Sequence, residues 1–183
     1  QRFDEHLRAL DYQGPELLAA AIERACAARG REHRFDRGFD LGCGTGLMAK
    51  ALWPRVDSLV GVDLSPKMIE FAQMTGLYNH LAASDLIAFL DREHAGSSDL
   101  CVAADVFVYI GDLAPAVSRC ARVLEDGGLL AFSVQRCEGT DWRLGADLRY
   151  AHSAGYLERL AAAHGFEITV LDVASTRKDR GED

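Results

Sequence analysis

The chain has 183 residues and a formal net charge of −8, with 49% hydrophobic and 26% charged residues. That composition is globular rather than disordered, and the length suits one domain. The acidic balance argues against broad binding to a phosphate backbone, and no apolar run approaches the ~20 residues of a membrane span.

The polar start, Gln1 to His6, carries no apolar signal core and no initiator Met, and reads as a trimmed or processed end. Residues 15–25 predict a helix, with Pro15 in its first turn and Leu18, Ile22 and Ala25 on one face. Phe39-Asp40-Leu41 reads as a strand end that runs into a glycine-rich turn. A short helix follows, with Leu47, Met48, Ala51 and Leu52 apolar and Pro54 closing it. Residues 56–63 predict the next strand, and Ser65-Pro66 the start of another helix, with Ser65 as its cap. Asp85 reads as the cap of a helix over residues 86–90, after a third strand.

Residues 99–104 and 129–134 are near-continuous apolar runs, the mark of strands buried on both faces. Between them Leu113, Val117, Cys120, Ala121 and Leu124 recur at helical spacing, and Gly127-Gly128 stops that helix. Residues 137–148 predict an irregular loop of lid length, 153–164 a helix, and 166–173 a last strand. This alternation predicts an open, mostly parallel α/β sheet with helices on both faces. Ligands then bind beyond the carboxyl ends of the strands.

The first strand ends in Asp40-Leu41-Gly42-Cys43-Gly44-Thr45-Gly46. Glycines there permit a tight turn and a close approach of ligand to backbone. A nicotinamide dinucleotide site wants a third glycine at position 47, which is Leu47. The second strand ends in Asp63, 17 residues after Gly46, where a carboxylate can accept from both hydroxyls of a ribose. Capping beside Ser65 is the plain structural alternative. The five cysteines form no C-x-x-C pair and read as reduced packing residues of a cytoplasmic protein.

Those two segments, with Gly61-Val62-Asp63-Leu64-Ser65-Pro66-Lys67-Met68, Ser84-Asp85-Leu86, Ala103-Ala104-Asp105 and residues 123–128, resemble the class I S-adenosylmethionine-dependent methyltransferases. The resemblance covers about residues 35–175. Residues 104–113 and 149–153 resemble a narrower bacterial group, whose methyltransferase domain is sometimes attached to tetratricopeptide repeats; no such repeats are present.

The resemblance implies a Rossmann-like three-layer sandwich, with residues 1–34 as lid and helix and 35–183 as the cofactor-binding domain. It implies that Gly42, Cys43 and Gly44 pass along the methionine moiety of S-adenosyl-L-methionine, while Asp40 organises the loop and helps hold the amino group. Asp63 clamps the ribose, and Leu64 and Met68 sandwich the adenine. Asp85 takes the adenine amino group, the Leu86 amide a ring nitrogen, and Ala103 lines the floor near the sulfonium. S-adenosyl-L-homocysteine is the implied product. The family's seventh, antiparallel strand is absent from this chain, so residues beyond the ends, or another segment, are expected to complete the sheet edge.

Methyl transfer needs an aligned and, where necessary, deprotonated nucleophile, and no metal in principle. No metal cluster is apparent in the sequence. The acceptor is expected to be a small molecule, methylated at oxygen or nitrogen. Candidates around it are Tyr109, Gln135, Tyr150 and His152, the last as general base. Arg149 is a candidate for a substrate carboxylate, with a surface salt bridge as the equal alternative. Phe3 and His6 are candidates for a lid over the cofactor. The competing readings are a cofactor-binding regulatory domain without turnover, a nicotinamide oxidoreductase and a nucleic-acid methyltransferase.

Overall fold

A computed structural model describes residues 13–175. In chain order the elements are α1 (Gly14–Ala28), β1 (Phe35–Leu41), α2 (Leu47–Leu52), β2 (Val56–Asp63), α3 (Pro66–Gln73), β3 (His80–Ala83), α4 (Leu86–Arg92) and β4 (Ser98–Ala103). A 3-10 turn (Phe107–Tyr109) leads to α5 (Ala114–Val123), β5 (Leu124–Phe132), β6 (Gln135–Arg136), β7 (Trp142–Leu144), β8 (Tyr150–His152) and α6 (Ala154–Ala163).

Five strands form one parallel sheet in the order β3-β2-β1-β4-β5. The order reverses direction between β1 and β4, which opens a crevice at the carboxyl ends of these two strands. Two apolar clusters cover the two faces. Phe39, Val62, Cys101 and Leu113 belong to one, together with α4, α5 and α6. Phe35, Leu100 and Val102 belong to the other, with Ile22 of α1 and Leu52 of α2. The expected three-layer α/β sandwich is the architecture found. All five cysteines are free and buried, as their place in apolar runs predicts.

The sequence reading is corrected in three places. Helix α5 ends at Val123, and Gly127-Gly128, read as its stop, lie within β5, which begins at Leu124. Residues 137–148 are not wholly irregular: β7 pairs antiparallel with β8, and β8 pairs parallel with β6, in a second small sheet. Residues 166–173 form no strand, although their alternation predicts one. A groove of 1310 Å³ separates this segment from β5, and Asp172 pairs with Arg24 of α1 on its far wall. A strand is held by its ladder, and a segment with no neighbour in hydrogen-bonding reach keeps an irregular backbone. Among the described residues nothing pairs with the outer edge of β5.

Candidate cofactor and acceptor site

The glycine-rich turn leaves β1 and folds back over the end of β2. The Gly42 and Cys43 amides both donate to the Val62 carbonyl, at 2.7 and 2.9 Å. Gly42, Gly44 and Gly46 all have positive φ, +76°, +52° and +89°, and Gly46 starts α2. That run of left-handed residues is what three glycines in five positions provide. Gly42 also has no room for a side chain, because a Cβ there lies 2.3 Å from Val106 Cγ2. Gly44 faces open space, with nothing within 4 Å of a Cβ.

Asp63, at the end of β2, reaches across to this turn. Its Oδ2 accepts from the Gly44 amide at 2.9 Å and its Oδ1 from the Ser65 amide at 2.8 Å. Each carboxylate oxygen keeps a further lone pair for an outside donor. Next to it Leu64 is 76% exposed, an apolar side chain turned to solvent, and Met68 on α3 is half-buried. Ser65 occupies the cap position of α3, but its side chain makes no capping bond; Pro66 satisfies the first turn instead.

Asp85 is the cap of α4 as read from the sequence, its Oδ1 accepting from the Ile87 and Ala88 amides at 2.9 and 3.0 Å. Leu86 packs against the core, and Ala103, the last residue of β4, is fully buried. Asp85, Asp63, the glycine turn and Ala103 follow β3, β2, β1 and β4. In this sheet they therefore lie in one row along the carboxyl edge, three strand spacings or ~14 Å long.

Beneath the row Asp40 is buried, and Tyr78 donates its hydroxyl to Asp40 Oδ2 at 2.6 Å. Burial, helped by the nearby Asp63 carboxylate, pushes the Asp40 carboxyl from 3.8 up to about 7, against the pull of the Tyr78 hydrogen bond. Burial raises the Tyr78 phenol too, so it stays a donor. Sequence reasoning missed Tyr78. Its signal is Gly61, in the middle of β2, where a Cβ would lie 2.7 Å from the Tyr78 ring. The Cys43 thiol is raised by burial and by Asp40, which keeps it protonated and removes it as a nucleophile.

A carboxyl with a folded pKa of about 7 and an unfolded value near 3.8 stabilises the fold fully below the lower value. That contribution is lost as pH rises toward 7. Thermal unfolding of the wild type is expected to show this loss between pH 4 and 7. Asp40→Asn, which keeps an acceptor for Tyr78, is expected to remove it. Parallel pH profiles for the two proteins would contradict the assignment.

The turn after β4 closes the crevice. Asp105 is left-handed at φ +56° without being glycine, and Ser133 holds it: the Asp105 amide donates to Ser133 Oγ at 2.8 Å, and that hydroxyl donates to Asp105 Oδ1 at 3.1 Å. The turn lays Val106 on Gly42 and leaves Tyr109 63% exposed. Tyr109 carries the Arg149 guanidinium 5.7 Å from its ring centre. Tyr150 is half-buried and meets Trp142 edge-on, and the two rings close over Gly111.

His152 is only 1% exposed. Its Nε2 lies 2.9 Å from the Gly111 carbonyl, which makes Nε2 the protonated nitrogen, and its Nδ1 is buried without a partner. Burial lowers its pKa, so the ring is neutral at pH 7. Gln135 binds Asp147 at 3.2 Å rather than standing free at the strand end. Phe3 and His6 lie outside the described residues. No group of three or more His, Cys, Asp or Glu among the described residues is arranged to hold a metal.

Residues 39–132 match the family described as a methyltransferase domain. The ubiquinone biosynthesis O-methyltransferase of Xylella fastidiosa (strain 9a5c) is 32% identical over 104 residues, covering 53% of this chain and 41% of that protein. The chain thus spans under half the length of such curated relatives. The N-methyltransferase NodS from Bradyrhizobium japonicum WM9, in complex with S-adenosyl-L-homocysteine, superposes with a TM-score of 0.52 at 28% identity over 64% of this chain and 60% of that one. The Burkholderia thailandensis 1,6-didemethyltoxoflavin-N1-methyltransferase gives a TM-score of 0.66 at 18% identity, covering 88% and 71%. With the glycine turn, the acidic end of β2 and this sheet order, the match places the chain: it belongs to the methyltransferase domain family.

Proposed function

We propose that this domain moves the methyl group of S-adenosyl-L-methionine to an oxygen or nitrogen of a small-molecule acceptor. The observation that carries the cofactor assignment is the Asp63 carboxylate fixed between the Gly44 and Ser65 amides beside an open Gly44. The residues fit the group: open space over Gly44 admits the methionine moiety, Asp63 has lone pairs for both ribose hydroxyls, and exposed Leu64 with Met68 offers apolar surface to the adenine. Gly42 and Cys43 line the same path, Asp85 and the Leu86 amide stand at its adenine end, and the Ala103 backbone stands at its methyl end. Asp40 answers the cofactor's ammonium from below.

When bound, the sulfonium supplies an electrophilic methyl, so what remains for this chain is alignment. Tyr109 and Tyr150 flank the acceptor. His152, buried and bonded to Gly111, holds the acceptor wall in place through Nε2 rather than taking a proton from solvent-facing substrate. Tyr156 extends that support, accepting from the Leu113 amide at 2.8 Å and donating to Asp112 at 3.0 Å.

The acceptor is read as a small molecule in the cytoplasm, with neither nucleic acid nor membrane as partner; the net charge of −8 supports this against nucleic acid, and the five free cysteines support the compartment. Residues 1–34 are read as lid and helix, and 35–183 as the catalytic unit of one compact domain. The narrower likeness, to the group attached to tetratricopeptide repeats, rests on residues 104–113 and 149–153.

The test is methyl transfer from tritiated S-adenosylmethionine across a panel of small phenols, carboxylic acids and amines. Label is expected in a low-molecular-weight product. A protein that binds S-adenosylhomocysteine but transfers no label to any acceptor would favour a regulatory domain without turnover.

A further inference from the structure

Arg149 stands apart from the other partly buried arginines. Arg31 donates to the Gly127 carbonyl at 2.9 Å, Arg37 to Glu93 at 3.2 Å and Arg119 to Asp91 at 2.8 Å. The Arg149 guanidinium, also half-buried, has no oxygen partner among the described residues; it rests on the Tyr109 ring. Asp147, two residues away, interacts with the guanidinium without pairing with it. Its Oδ1 takes the Arg149 backbone amide and its Oδ2 the Gln135 amide, both at 3.2 Å, and the guanidinium acts on it only from beyond ion-pair distance.

Arg149 is also held in place. It follows Leu148, left-handed at φ +60°, in the turn that joins β7 to β8. The Gly145 amide donates to the Arg149 carbonyl at 2.7 Å and the Leu148 amide to the Gly145 carbonyl at 3.1 Å. A guanidinium held by a ring rather than by an acid keeps its N–H donors for a ligand, and those donors match an oxyanion two at a time.

The site adjoins the cofactor crevice. The Tyr109 amide donates to the Val106 carbonyl at 3.1 Å, and the Val106 side chain covers Gly42. One turn of chain therefore separates the aromatic shelf under Arg149 from the glycine turn.

We infer that Arg149, laid on Tyr109, binds an anionic oxyacid group, carboxylate or phosphate, of an aromatic acceptor that packs beside the exposed Tyr109 ring. This rests on the reading of that crevice as the methyl-transfer site and names the substrate class it takes. It takes the substrate-anion reading of Arg149 over the surface salt bridge.

Benzoate, phenyl phosphate and uncharged benzamide are titrated into the protein with and without saturating S-adenosylhomocysteine, followed by amide chemical shifts. Benzoate or phenyl phosphate is expected to bind at least about tenfold more tightly than benzamide, with shifts at Tyr109, Gly111 and Arg149. The tighter of the two anions identifies the group. Arg149→Met, which keeps the stem on Tyr109, is expected to abolish the preference, and Arg149→Lys to retain part of it. Equal binding of benzoate and benzamide by the wild type, or an undiminished preference in Arg149→Met, overturns the inference. Failure of S-adenosylhomocysteine to bind overturns the cofactor reading instead, and the titrations without it still decide the anion site.

Discussion

Asp63→Ala is expected to weaken S-adenosylhomocysteine binding at least about 100-fold. The carboxylate holds the Gly44 and Ser65 amides at 2.9 and 2.8 Å and presents its remaining lone pairs to a diol. Hydrogen bonds to a charged group contribute about 1.5–3 kcal/mol each, so losing a bidentate pair costs two orders of magnitude or more in affinity. Asp63→Asn is expected to lie between, since its NH2 opposes one of the two amides it must face. Calorimetric titration checks both variants, with the thermal midpoint as a control for folding. A folded Asp63→Ala protein of near wild-type affinity would remove the ribose clamp.

Substitutions at two glycines of the turn are expected to separate stability from binding. Gly42→Ala puts a methyl 2.3 Å from Val106 Cγ2 at φ +76°, and is expected to destabilise the fold by about 2–4 kcal/mol from overpacking and left-handed strain together. Adding Val106→Ala is expected to recover the overpacking part and leave the strain, about 1 kcal/mol. Gly44→Ala meets no atom within 4 Å, so only the strain of φ +52° acts on folding. Its methyl nevertheless fills the space assigned to the cofactor, and affinity is expected to fall by about tenfold or more. Equal stability losses at the two positions would contradict this division.

The strand-turn-helix around Asp40 to Gly46 and the strand ending in Asp63 were legible because glycine and a strand-terminal acid have few other uses in that arrangement. The row along the carboxyl edge follows once the strands are known to run parallel, which α/β alternation predicts, whereas the order β3-β2-β1-β4-β5 that spaces it came only from the structure. Tyr78 was not legible, since nothing local marks a tyrosine that will lie over Gly61 and donate to Asp40 from 38 residues away. The hairpin of β7 and β8 was missed because three-residue strands are too short to show alternation.

Residues 166–173 show the opposite error. Alternation at Phe166, Ile168 and Val170 reports which face a strand would bury and says nothing about whether a neighbour stands beside it. For His152 the sequence placed a titratable ring after the 137–148 loop, and only the structure shows it sealed against Gly111. In Arg149 the residue type was suggestive from the start. Its lack of an ion pair, which motivates the proposed anion site, depends on where Asp147 and Gln135 fold.

Adding S-adenosylhomocysteine to 15N-labelled protein and following the backbone amides tests the assignment of the crevice most directly. The predicted result is saturable binding with the largest shifts at Gly42, Cys43, Gly44, Leu64, Ser65 and Leu86, along the carboxyl ends of β1, β2 and β3. Absence of saturable shifts in a folded sample, or shifts centred on the groove beside β5 instead, would contradict it.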